Sequence, residues 1–204
     1  MKQQPARSAH RPSRRSSLLA AALELFATDD PSDVSMAVVA THAKMTPSAV
    51  YYHFSSKTKI IETLMAGVTD KLASFFELTS GITDLHGWGV QSMRHALEWM
   101  RTDPLEAKFY FVRLATTRDG AETLVQFRRD SEKLVESISD SILLLDNSID
   151  PLEAAIMARG LLTLVSETAR TTLTGRDAVP RNFRTYHEAA SIITLRILGG
   201  NPRE

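Results

Sequence analysis

The sequence predicts an all-α fold, and three observations carry that prediction. Apolar residues recur at spacings of three and four along most of the chain, and helix-cap signals precede those runs. No segment alternates Val, Ile or Thr in the two-residue rhythm of a strand, and no Asn-Gly or Asp-Gly joins two such segments. From Ser13 onward, Leu18, Leu19, Ala22, Leu23 and Phe26 form one stripe, while Arg14, Arg15, Ser17 and Glu24 fall mostly elsewhere. This first helix should stop within Thr28-Asp29-Asp30-Pro31-Ser32-Asp33, because proline cannot continue the ladder and the Asp/Ser cluster offers competing local hydrogen bonds. A second helix starts at Ser35 as N-cap and runs from Met36 to His42, burying Met36, Val39, Ala40 and Ala43. After Ala43-Lys44-Met45, Thr46 caps a third helix with Pro47 at its first position, where the missing N–H costs nothing. That helix runs through Phe54, and Ser55-Ser56 opens a long amphipathic stretch from about Lys57 to Thr79. Breaks at Asp103-Pro104, Arg118-Asp119-Gly120, Asp146 to Pro151, Gly175 and Pro180 divide the rest into five helices, over about 84–102, 104–117, 119–145, 152–174 and 181–198. No internal repeat is present.

Composition narrows the class. The chain has 204 residues, 43% of them hydrophobic, enough for one large or two small domains. The absence of cysteine excludes a disulfide framework, a thiolate metal site and a thiol nucleophile. Aliphatic runs such as Ile142 to Leu145 fall far below the roughly 18 residues of a membrane span. The Met1 region has charge but no apolar core of a signal peptide, so the expected location is cytoplasmic. The 24 Lys+Arg balance 24 Asp+Glu, but not evenly along the chain. Residues 1–60 hold eight cations against four acids, and the remaining 144 hold 16 against 20. A basic segment followed by an acidic body is the pattern of a nucleic-acid reader joined to a partner-sensing domain. Residues 1–12, basic, without an acid, with two prolines and with Gln and Ser in place of a large apolar stripe, read as a disordered basic arm.

Two short helices joined by a tight turn and roofed by an amphipathic helix make a helix-turn-helix. The second must enter a major groove about 12 Å wide, so its leading residues should be small or polar, as Thr46, Pro47, Ser48 and Ala49 are. Tyr51, Tyr52 and His53 in the next turn are long enough to reach the sugar-phosphate walls, whereas Val50 and Phe54 read as core. Lys57, a cation in the first turn of a helix, opposes the macrodipole, a conflict that a DNA phosphate would resolve.

These residues carry a resemblance. Leu23-Glu24-Leu25-Phe26-Ala27, Ser35-Met36-Ala37-Val38-Val39-Ala40 and Thr46-Pro47-Ser48-Ala49-Val50-Tyr51-Tyr52-His53-Phe54-Ser55-Ser56-Lys57 resemble the DNA-binding domain of the tetracycline-repressor-like (TetR) family of transcriptional regulators, over about residues 13–64. The resemblance implies base-edge contacts from Pro47, Ser48 and Tyr51, and backbone contacts from Ser35, Thr46, Tyr52, His53 and Lys57. Two departures stand out: Asp29-Asp30-Pro31 replaces the family's usual glycine between the first two helices, and Ala43-Lys44-Met45 replaces Ala-Gly-Val in the turn. A left-handed Lys44 would cost about 1 kcal/mol. Lys44 is also a candidate phosphate contact.

The resemblance further implies a helix-turn-helix domain at 13–60 and a helical ligand-binding and dimerisation domain at 61–204. The dimer would form through the last two helices, around Ala154, Ala155, Ala158, Gly160, Leu161, Leu162 and Leu164 of one and Ala189, Ala190, Ile193, Ile197 and Leu198 of the other. The same residues could equally face the chain's own core. Trp88, Met93, Trp99, Met100, Phe109, Phe111, Leu124, Phe127 and Met157 are the candidates for an apolar effector pocket, since Met and aromatics suit a compliant cavity. They suit a solid core as well. His95 and Glu98 have metal-ligand spacing without a second pair, so no metal or other cofactor is expected.

The rival reading is a helical ligand-binding protein or enzyme that does not read DNA. Neither Gly-x-Ser-x-Gly nor His-Glu-x-x-His occurs, and Gly87-Trp88-Gly89 follows no strand. The expected protein is a homodimeric ligand-responsive regulator, a repressor by resemblance, that binds a pseudo-palindromic operator and a small, largely apolar effector, with no membrane role.

Overall fold

The structure, a computed structural model, describes residues 13–78, 81–117, 121–173 and 183–200. Every described element is helical. Helix α1 (Arg14–Thr28) begins where Ser13 Oγ accepts the Ser16 N–H at 3.1 Å, and it buries Leu18, Ala22 and Phe26. Its end passes into a short 3₁₀ turn (Pro31–Asp33) capped by Asp30, whose Oδ1 accepts the Ser32 N–H at 2.9 Å. Helices α2 (Met36–His42) and α3 (Pro47–His53) follow, and α4 (Lys57–Phe75) leads into the larger part of the molecule.

There α5 (Leu85–Thr102), α6 (Pro104–Lys108), a π-helical segment (Phe109–Arg113), α7 (Leu114–Thr116), α8 (Ala121–Leu145), α9 (Pro151–Leu173) and α10 (Phe183–Ile197) assemble. Helix α8 packs along α4 and α9, and α5 packs along α10. At Gly89, α5 and α10 approach so closely that a Cβ would stand 2.1 Å from Leu198 Cδ1 and 3.3 Å from Thr194 Cγ2. Buried residues from Leu18 to Leu198 form one continuous cluster.

Two boundaries differ from expectation. Helix α4 ends at Phe75, because the Phe76 ring turns into the core at 1% exposure instead of continuing the helix to Thr79. The single helix expected over 104–117 is interrupted by the π-helical turn. Phe109, Tyr110 and Phe111 are consecutive and all buried. A regular α-helix would send one of three successive side chains toward solvent, and the wider π turn lets the three rings pack in different directions. The proposed arm at 1–12, and the expected ends at 79, 119, 174 and 181, lie outside the described residues. No helix among those described is long and apolar enough to cross a membrane.

Candidate nucleic-acid interface and effector cavity

The reading head is assembled by local rules. Ser35 Oγ accepts the Val38 N–H at 3.3 Å and Thr46 Oγ1 accepts the Ala49 N–H at 3.3 Å, so both hydroxyls cap helices through a lone pair and keep an O–H to donate outward. Val50 (0% exposed) and Phe54 (3%) anchor α3 inward, and the Arg15 guanidinium lies 4.8 Å over the Phe54 ring. The opposite face is open: Thr46, Pro47 and Ser48 are exposed, Tyr51 is 55% and Tyr52 86% exposed, and His53 is half-buried with its ring 5.3 Å from that of Tyr52. Exposed tyrosines at that level are unusual in a core-forming helix and suit a wet interface.

The turn between α2 and α3 takes the left-handed form that its missing glycine would have adopted. Lys44 has φ 55°, the Met45 N–H donates to Ala40 O at 2.9 Å and the Lys44 N–H donates to Thr41 O at 3.1 Å, which is a Schellman closure of α2. Its side chain is exposed and shares a cleft with Arg14, Ser17, Met45 and Thr46. Sequence reasoning missed Arg14 and Ser17; the Arg14-Arg15 doublet directly after a capping serine was the available signal.

Lys57, expected to meet a phosphate, has partners within the chain. Its Nζ donates to Pro31 O at 2.7 Å and to Ser32 O at 3.4 Å, so carbonyls of the 3₁₀ turn, inside the chain, receive the cation that was expected to need a phosphate. The lysine thereby clasps the α1–α2 connection onto the start of α4.

A second feature lies in the larger part: an open cavity of about 390 Å³ between α4, the π segment, α8 and α9. Its apolar wall includes Leu72, Phe111, Phe127, Leu134, Val135 and Leu162, and its polar groups include Tyr110 and Ser131. Of the residues expected to line an effector pocket, Phe111 and Phe127 are there. Trp88, Met93, Trp99, Met100 and Phe109 are buried at 5% exposure or less and pack as core: Trp88 lies edge-on to Phe76, Trp99 donates its Nε1–H to Glu106 at 2.9 Å, and Phe109 stacks on Phe26 at 6.2 Å. Met157 borders a separate cleft beside His86 and Leu198, and Leu124 is exposed. Leu72, Tyr110, Ser131, Leu134, Val135 and Leu162 were missed; in α8 their three-and-four spacing with Phe127 marked a common face, but nothing in it marked a void.

The Tyr110 hydroxyl lies 3.2 Å from Thr69 Oγ1, with Ser131 and Asp130 beside it. Burial, the largest influence, pushes the phenol above its ordinary value of 10.0. The Glu98 carboxylate of the candidate metal pair is instead held by Arg101, which lowers its pKa, and among the described residues no group of three metal-ligating side chains converges.

Reader and cavity are joined through the π segment. Arg113 Nε donates to Ala27 O at 3.2 Å and its Nη2 to Thr28 O, satisfying terminal carbonyls of α1, while Thr117 Oγ1 donates to Asp30 Oδ1 at 3.0 Å.

Residues 18–64 match the family described as bacterial regulatory proteins, tetR family. The sequence matches no curated protein. The fold is similar to that of AibR, solved with isovaleryl coenzyme A and operator DNA, at 18% identity and TM-score 0.68, covering 89% of this chain and 97% of that one. It is similar to the TetR-family regulator PfmR from Thermus thermophilus, at 16% identity and TM-score 0.70, covering 95% and 100%. Mycobacterium smegmatis AmtR gives 19% identity and TM-score 0.66, covering 97% and 91%.

Proposed function

We propose that this chain, a member of the tetR family of bacterial regulatory proteins by its N-terminal domain and its fold, is a repressor that binds a pseudo-palindromic operator as a homodimer and loses affinity for it when a small, largely apolar molecule binds. It is a ligand-responsive DNA-binding regulator and not an enzyme. The observation that carries the finer reading is the exposed face of α3, where Pro47, Ser48, Tyr51 and Tyr52 project from a helix pinned behind by Val50 and Phe54. In this reading residues 13–60 read DNA and 61–204 sense the effector. Pro47, Ser48 and Tyr51 meet base edges; Ser35, Lys44, Thr46, Tyr52 and His53 meet the backbone, while Lys57 positions the reader through the 3₁₀ turn.

Dimerisation is supported by apolar side chains left exposed on the last two helices: Leu152 (70%) and Ile156 (62%) on α9, Ile192 (42%) and Ile193 (41%) on α10. The small residues expected at the seam divide. Ala154, Ala158, Leu161, Ala190 and Leu198 are buried in the chain's own core, and Ile197 packs on Gly160. The interface therefore rests on the isoleucines more than on the alanines.

Effector control follows from the Arg113 clasp. An occupant that shifts Tyr110 or Phe111 moves a segment whose fifth residue holds the end of α1. Operator affinity then changes by the effector's differential affinity for the two reader spacings, and by no more. The test is selection of duplexes from a randomised pool, followed by a salt titration. Enrichment of inverted half-sites about one helical turn or a multiple apart, with affinity falling steeply in salt, is expected. Binding that shows neither a consensus nor a salt slope would refute the reading.

A further inference from the structure

The cavity has an inner end and a mouth of different chemistry, and the difference selects a class of effector. Its walls are aliphatic and aromatic, but at the inner end the Tyr110 phenol, 2% exposed, sits 3.2 Å from Thr69 Oγ1, near a Ser131 hydroxyl that donates to Phe127 O at 2.9 Å. The Asp130 carboxylate, next to Ser131 in sequence, accepts the Gln126 Nε2–H at 2.9 Å and lines a neighbouring cleft with Gln126 and Lys59 instead of this cavity. Around Tyr110 the lining is Leu72, Phe111, Phe127, Ser131, Leu134 and Val135, which offers hydroxyls and no cation. An anionic head placed there would lose its hydration with no cation beside it in compensation. An ammonium would lose its hydration with only hydroxyl oxygens to replace it.

The two cations of the lining stand at the mouth. Arg159 holds Glu132 through two hydrogen bonds, at 3.1 and 2.6 Å, and Arg170 pairs with Glu167. All four side chains are about half exposed, and the mouth carries no net charge with which to attract an ion.

We infer that the effector is an uncharged amphiphile, an apolar body ending in one hydroxyl or carbonyl group, and that Tyr110 is the residue that selects its head. The inference rests on the reading of this cavity as the effector site. The phenol both donates and accepts and has Thr69 Oγ1 as one partner, so a hydroxyl or carbonyl head takes its remaining hydrogen-bonding capacity without leaving a buried polar atom unpaired. The body fills the space between Leu72, Phe127, Val135 and Leu162.

Isothermal titration calorimetry of the full-length protein at pH 7 with decanol, decanoate and decylammonium tests this, since the three probes share one apolar body and differ only in the head. Decanol should bind about tenfold or more tighter than either ion, Tyr110→Phe should weaken decanol about tenfold, and Ser131→Ala about threefold. Decanoate or decylammonium binding as tightly as decanol would overturn the inference. So would unchanged decanol affinity in a folded Tyr110→Phe protein; if that variant does not fold, unchanged affinity in Ser131→Ala decides against it. Leu162→Trp separates the two levels of the argument, because it fills the cavity without touching the polar end. If Leu162→Trp abolishes binding of all three probes and they are not discriminated, the head-group assignment alone fails. If Leu162→Trp leaves decanol binding intact, or the unaltered protein binds no probe, the cavity is not the effector site and both fail.

Discussion

Lys57 stands at a helix N-terminus, where its charge opposes the macrodipole, and carbonyls 26 and 25 residues earlier in the chain are among the groups that receive its ammonium. Lys57→Ala should therefore lower stability by about 1 kcal/mol through the two carbonyls it leaves. It should weaken operator binding equally at all sequences and leave the salt slope unchanged; a direct phosphate contact would instead lower the slope by about one. Tyr110 carries its own pH signature. Burial raises its pKa above 10.0, so the folded protein holds that proton longer than the unfolded chain does. Its contribution is complete below the unfolded value and is lost as pH rises through the folded one. Thermal melts should show an alkaline fall beginning near pH 10 that is smaller in Tyr110→Phe.

Between elements, two contacts are open to direct test. Thr194 on α10 is buried, and its hydroxyl has no hydrogen-bond partner among the described residues. Thr194→Val keeps the shape and removes the unpaired group, so chemical denaturation should show unchanged or higher stability, by up to about 1 kcal/mol. A clear loss would mean that the hydroxyl is bonded after all. The Arg113 clasp predicts the reverse pattern, in function more than in stability. Arg113→Ala should leave operator binding within about threefold of the original yet shrink the response to effector, because the π segment no longer holds the α1 carbonyls. An undiminished response would assign coupling to α4 alone.

For the whole molecule, the proposed dimer makes the distance between two readers the decisive quantity, which one chain cannot set. Ile156→Glu with Ile193→Glu places charges on the two exposed apolar strips. Sedimentation should then show a monomer, and affinity for a two-half-site duplex should fall to about that for one half-site. A dimer that survives both substitutions would place the interface elsewhere.

What could be read directly from residue order was whatever depends on near neighbours. The caps at Ser35, Thr46 and Ser56, the stop of α1 within Thr28 to Asp33, the left-handed Lys44 and the exposed α3 face follow from interactions that span about one helical turn. The cavity was different in kind. Tyr110 and Phe109 are adjacent, but one borders the void and the other stacks on Phe26, and Trp88 and Met93 fill solid core although their side chains suit a pocket equally well. Periodicity states which face of a helix turns inward. Whether that face meets another side chain or an empty space depends on how distant helices approach, as does the destination of the Lys57 ammonium, and only the packed fold decides either.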